Sequence, residues 1–126
     1  MSTILIVEDN EKNMKLVRDI LQHRGYQTIE AVTGTDGVRL AREKHPDLVL
    51  MDIQLPDIDG IEALRQIRAE ASLANVPVVA VSASVMPDEQ QKIVRSGFDA
   101  FVTKPIALKP FVETVDRFLK QGRSAP

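Results

Sequence analysis

Four apolar runs of the sequence each lead into polar side chains that could bind a metal ion or take part in a reaction. These side chains are Glu8 with Asp9, Asp52, Ser82 and Lys104. The runs are short and rich in branched residues, as strands buried on both faces are. Because the carboxyl ends of parallel strands share one edge of a sheet, three carboxylates, a hydroxyl and an ammonium group would meet there.

Three carboxylates in one crevice are unfavourable without compensation. Two unit charges about 4 Å apart repel by roughly 4 kcal/mol at an effective dielectric of 20. Either a carboxyl pKa rises or a cation binds. Oxygen ligands without nitrogen or sulfur favour a hard cation such as Mg²⁺, which phosphate oxygens commonly complete. The residue types therefore indicate a site that handles a phosphoryl group with Mg²⁺ as cofactor.

Asp52 is the predicted phosphoacceptor. It ends an apolar run and leads into a loop constrained by Pro56 and Gly60. A carboxylate can act as a nucleophile and form an aspartyl phosphate.

The other polar residues have supporting roles in this interpretation. We expect Asp9 to hold the metal ion, with Glu8 contributing through a water molecule. Lys104 would neutralise phosphoryl oxygens, and the Ser82 hydroxyl would donate a hydrogen bond to one of them.

Strand-like and helix-like stretches alternate five times, which predicts an α/β fold with a parallel sheet and helices on both faces. Gly25 is expected to end the first helix, and Thr35 or Asp36 to cap the second. The fifth strand is predicted to run from Phe98 to Thr103.

The last two helices differ in their apolar content. The fourth, beginning near Pro87, has few large apolar residues beyond Ile93 and Val94, so we expect it to be the most loosely held. The fifth has the clearest apolar stripe, formed by Leu108, Phe111, Val112, Val115, Phe118 and Leu119.

Length and composition narrow the class of protein. The chain has 126 residues, which suits one domain, and we expect that domain to span residues 1–121 with a frayed tail over 122–126. A net charge of −2 gives no basic surface for nucleic acid. Without cysteine, and with only His23 and His45, a zinc site is not expected. The N-terminus lacks a signal or membrane segment, so a soluble, cytoplasmic protein is predicted.

The motifs resemble those of a known family. Glu8-Asp9, Asp52, Ser82 and Lys104-Pro105 are similar in type and spacing to the receiver domains of two-component response regulators. The resemblance covers nearly the whole chain, and it is strongest to single-domain regulators of the DivK type and to receivers of hybrid histidine kinases.

This resemblance implies specific features. The fold would be flavodoxin-like with strand order 2-1-3-4-5, and the bond before Pro105 is often cis in the family. A phosphohistidine would be the donor, and Mg²⁺ would be bound by Asp9, Asp52 and the backbone carbonyl of Gln54. Ser82 stands where threonine is commoner, and Phe101 stands where many members carry tyrosine, so switching through a tyrosine hydroxyl is not expected.

The resulting prediction is a stand-alone phosphorylation switch, since only a short tail follows the last helix. Its partners would be a sensor histidine kinase or histidine phosphotransfer protein, and a downstream target bound by the fourth helix, fifth strand and fifth helix. Ser82 and Phe101 would be the switch residues. The alternatives are a receiver cut from a hybrid kinase, a Mg²⁺-dependent aspartyl-phosphate phosphatase, and a purely structural flavodoxin-like module.

Overall fold

The computed structural model describes residues 2–83 and 86–123. Five parallel strands form one sheet in the order β2-β1-β3-β4-β5. The strands are β1 (Thr3–Val7), β2 (Gln27–Ala31), β3 (Leu48–Asp52), β4 (Val78–Ser82) and β5 (Ala100–Thr103). The helices are α1 (Glu11–His23), α2 (Gly34–Lys44), α3 (Gly60–Arg68), α4 (Pro87–Arg95) and α5 (Leu108–Gln121), with a 3-10 turn at Ala71–Leu73. The predicted flavodoxin-like fold and strand order are confirmed.

Two apolar layers cover the two faces of the sheet. Because successive strand residues point to opposite faces, Leu5 and Val7 pack with α2, α3 and α4, whereas Ile4 and Ile6 pack with α1 and α5. Burial on both faces explains why the central strands read as continuous apolar runs. No helix in the described ranges has the length and hydrophobicity needed to cross a membrane.

Several local predictions are confirmed, and one helix cap is corrected. Gly25 follows the end of α1 with φ +89°, and Pro87 is the first residue of α4. The cap of α2, however, is Thr33 and not Thr35 or Asp36, because the Thr33 side chain accepts from the Asp36 amide. The helix therefore begins at Gly34, and Asp36 lies in its first turn.

The fifth strand begins two residues later than predicted, at Ala100. Phe98 is buried but lies before the strand, and the Asp99 carboxylate accepts from the Val78 amide at 2.8 Å. The same carboxylate binds Arg68 at 3.0 Å and Arg123 at 2.9 Å. Arg123 falls in the segment expected to be a frayed tail, of which residues 124–126 lie outside the described part.

Replacing Asp99 with alanine should lower the free energy of unfolding by about 3 kcal/mol, since it leaves a backbone amide and two arginines without their shared acceptor. Urea denaturation measures the loss. The matched control is Asp19→Ala, which removes an exposed pair with Lys15 and should change stability little. Equal losses in the two variants would contradict a stabilising role for the Asp99 network.

Candidate phosphoacceptor and metal site

The carboxyl edge of the sheet gathers the predicted site residues. Glu8 follows β1 directly, Asp52 and Ser82 are the last residues of β3 and β4, and Lys104 follows β5. One carboxylate oxygen from each of Glu8, Asp9 and Asp52 lies within 4.8 Å of the others. Residues separated by almost a hundred positions in the chain thus form one cluster, with Asp9 on its exposed side.

Lys104 joins the two buried carboxylates. Its Nζ lies 2.9 Å from Asp52 Oδ2 and 3.0 Å from Glu8 Oε1, and its amide donates to the Ser82 carbonyl at 2.9 Å. Burial alone would lower the pKa of the Lys104 ammonium, but the hydrogen bonds to Asp52 and Glu8 raise it. The lysine therefore stays charged beside the acids. The Lys104–Pro105 peptide bond is cis, as the family resemblance suggested.

Burial at this site changes the acidity of Glu8. Only 4% of its surface is exposed. Burial and the hydrogen bond with Asp52 raise the pKa of Glu8 to about 7, although the Asn10 amide and Lys104 act in the opposite direction. A cation placed among the three carboxylates would favour their charged forms, and an all-oxygen donor set fits a hard divalent ion.

The loop after β3 holds Asp52 from the other side. The Gln54 amide donates to Asp52 Oδ1 at 3.0 Å, and the Gly60 amide donates to the Ile53 carbonyl at 2.9 Å. A Cβ atom at Gly60 would lie 2.5 Å from the Asp52 carbonyl oxygen and 2.9 Å from the Ile53 Cα. Only glycine allows the start of α3 to approach the Asp52 backbone this closely.

The two candidate switch residues lie on neighbouring strands. Ser82 is buried at the end of β4, and in the sheet register it faces Thr103. Phe101 is half-buried, packs against the core beneath α4, and lines a cavity of about 490 Å³ with Pro87 and Val94.

One element of the site escaped the sequence analysis. Asp57, in the loop between β3 and α3, accepts hydrogen bonds from the Gly34 and Thr35 amides of α2. Asp57 follows Pro56 and reads as an ordinary turn residue, because nothing local reveals that the helix it contacts lies more than twenty positions earlier.

A five-stranded parallel sheet in the order 2-1-3-4-5, with an acidic cluster and a lysine at its carboxyl edge, is the arrangement expected of receiver domains. Residues 4–116 match the model of the response regulator receiver domain family. The chain belongs to that family.

Named relatives agree with this assignment. The chain is 44% identical over 117 residues to the polar-differentiation response regulator DivK of Brucella ovis and to that of Brucella abortus, covering 93% of this chain and 95% of each relative. A structure of the receiver domain of a sensor histidine kinase from Pseudomonas aeruginosa, with a magnesium ion coordinated in the active site cleft, matches with TM-score 0.89. Its sequence is 29% identical, and the match covers 95% of this chain and 98% of that one.

Replacing Lys104 with methionine removes the ammonium that lies between Asp52 and Glu8. This change should lower the free energy of unfolding in Mg²⁺-free buffer by about 2 kcal/mol. The loss is moderate because the lysine is partly exposed to solvent. Added Mg²⁺ should recover part of the loss. Urea denaturation with and without Mg²⁺ tests this.

The control for this experiment is Lys15→Met, which breaks an exposed pair with Asp19. It should have little effect in either buffer. If Mg²⁺ helped both variants equally, the ammonium and the metal ion would not be acting on the same carboxylates.

Proposed function

We propose that the chain is a response regulator that accepts a phosphoryl group on Asp52 from a phosphohistidine of a sensor kinase or histidine phosphotransfer protein. The observation that carries this proposal is the convergence of Asp52, Glu8 and Asp9 within 4.8 Å beside the Lys104 ammonium. An Asp52 oxygen attacks phosphorus, the P–N bond breaks, and the donor imidazole leaves with the electron pair. The product is an acyl phosphate.

The residues around Asp52 would bind the phosphoryl group and the metal ion. Lys104 neutralises its oxygens, and the Ser82 hydroxyl donates a hydrogen bond to it. Asp9, Asp52 and the Gln54 carbonyl would hold Mg²⁺, with Glu8 acting through water. When bound, the metal ion stabilises the charge on the transferred group.

Direct phosphorylation tests this function. Wild-type protein is incubated with a small-molecule phosphodonor and either Mg²⁺ or a chelator, and the modified peptide is located by mass spectrometry. We expect an acyl phosphate on Asp52 that requires Mg²⁺. Label on another residue, or none with Mg²⁺ present, would exclude the proposal. Multiple turnover on phosphate esters would instead favour a phosphatase, although Gln54 offers no acid at the position where such enzymes carry a second aspartate.

The output surface proposed for partner binding comprises α4, β5 and α5. Val94 on α4 is 53% exposed and Met86 is 60% exposed. Residues of α4 also line the open groove beside Phe101. Among the residues of α4, only Ile93 is buried, so little apolar area fixes the helix in place. Phosphorylation would shift a pre-existing equilibrium between two forms of this surface, through Ser82 and then Phe101.

Amide hydrogen exchange with and without beryllofluoride, a phosphate mimic, should show altered protection across residues 82–104. This segment begins at the proposed phosphoryl site and includes α4 and β5, so a shift between two forms of the output surface must change how often its amides open. The strand β2, at the far edge of the sheet, serves as an internal reference. Unchanged exchange across residues 82–104 would exclude this route.

A further inference from the structure

The loop between β3 and α3 is fastened to α2 by one carboxylate. Asp57 Oδ1 accepts from the Gly34 amide at 2.8 Å, and Oδ2 accepts from the Thr35 amide at 3.0 Å. These amides belong to the first turn of α2, where N–H groups have no partner within the helix. Asp57 therefore caps a helix that lies 22 residues away along the chain.

A close packing contact accompanies this cap. A Cβ atom at Gly34 would lie 2.5 Å from Ile58 Cγ1 and 3.0 Å from the Ile58 carbonyl oxygen. The backbone of α2 at Gly34 therefore packs directly against Ile58, and a side chain at position 34 would not fit without movement. The Thr35 hydroxyl and the surrounding amides hold the pKa of Asp57 well below its usual range, so the cap is charged at neutral pH.

The other part of the same loop contacts the phosphoacceptor. The Gln54 amide donates to Asp52 Oδ1 at 3.0 Å, and the bond from the Gly60 amide to the Ile53 carbonyl closes the base of the loop. A loop closed at its base and fastened near its tip has little freedom. The orientation of the Gln54 peptide group therefore depends on where Asp57, three residues later, is held.

We propose that Asp57 is a positioning residue for the phosphoacceptor site. Through α2, it holds the Gln54 amide against Asp52 and the Gln54 carbonyl in a fixed direction. This inference rests on the proposed function, since the site it positions is the proposed Mg²⁺ and phosphoryl site.

The test measures Mg²⁺ affinity by isothermal titration calorimetry, which does not depend on activity. Asp57→Ala should weaken Mg²⁺ binding about 10-fold, the lower end of the loss seen when residues that orient metal ligands are removed. Amide exchange across residues 53–59 should accelerate in the same variant. Asp57→Asn keeps one acceptor oxygen and should fall between wild type and Asp57→Ala, and it provides the measurement if the alanine variant does not fold.

The matched control is Thr33→Ala, which removes the other cap of α2, the bond from the Asp36 amide to Thr33 Oγ1 at 3.1 Å. It should lower the stability of the helix, yet leave Mg²⁺ affinity within about twofold of wild type. Equal weakening by Thr33→Ala and Asp57→Ala would overturn the inference, because helix stability and not loop fastening would then be the cause.

Two further outcomes separate this inference from the proposed function. If wild type binds Mg²⁺ and is phosphorylated on Asp52, but Asp57→Ala binds the ion equally well, the positioning role is excluded and the proposed function stands. If wild type does not bind Mg²⁺, the proposed function is excluded, and the positioning role with it.

Discussion

Replacing Asp52 with asparagine should reduce phosphorylation by at least about 100-fold, since an amide oxygen cannot replace the carboxylate nucleophile. The amide also brings one negative charge fewer to the cluster formed with Glu8 and Asp9. Mg²⁺ affinity should therefore fall as well, by roughly 10-fold, because ligand charge tunes divalent-ion binding. Phosphorylation is followed by mass spectrometry with a small-molecule donor, and ion binding by calorimetry.

The comparison variant for this experiment is Asp47→Asn. Asp47 accepts from the Thr3 amide at 2.8 Å, at the amino edge of the sheet and so at the end opposite to the site. It should be phosphorylated on Asp52 like wild type. If Asp52→Asn were phosphorylated at the wild-type rate, another residue would be the phosphoacceptor.

Substituting Gly60 with alanine should damage both stability and phosphorylation. The added Cβ would lie 2.5 Å from the Asp52 carbonyl oxygen, and both nearest groups are backbone, which cannot rotate out of the way. Relief requires α3 or the end of β3 to move. We expect a loss of roughly 2 kcal/mol in the free energy of unfolding, the usual range for overpacking. The Asp52 side chain should be displaced from Lys104 and the Gln54 amide, slowing phosphorylation.

Gly25→Ala separates the effect on the site from a general loss of stability. A Cβ at Gly25 meets nothing within 4 Å, so its cost arises only from φ +89° and is about 1 kcal/mol. Its phosphorylation rate should remain that of wild type once both proteins are folded. If Gly60→Ala also kept the wild-type rate, the close contact at Gly60 would serve packing alone.

The fold was largely predictable because its signals are local. Strand-like and helix-like stretches that alternate five times predicted a parallel sheet. Gly25 and Pro87 marked helix boundaries correctly. The two wrong predictions concern positions where contacts with distant residues determine the local structure. Thr33 became the cap of α2, and β5 began only at Ala100, because Asp99 is committed to Val78 and two arginines.

The order of residues along the chain is enough to predict which side chains come to the carboxyl edge of the sheet. Strand ends and parallel topology are sufficient to bring Glu8, Asp52, Ser82 and Lys104 together. How these side chains are held there depends on contacts between elements that are distant in the chain. The approach of Gly60 to the Asp52 backbone and the cap that Asp57 places on α2 join segments that no local pattern relates, since such contacts depend on distances between elements and not on the residues of either one.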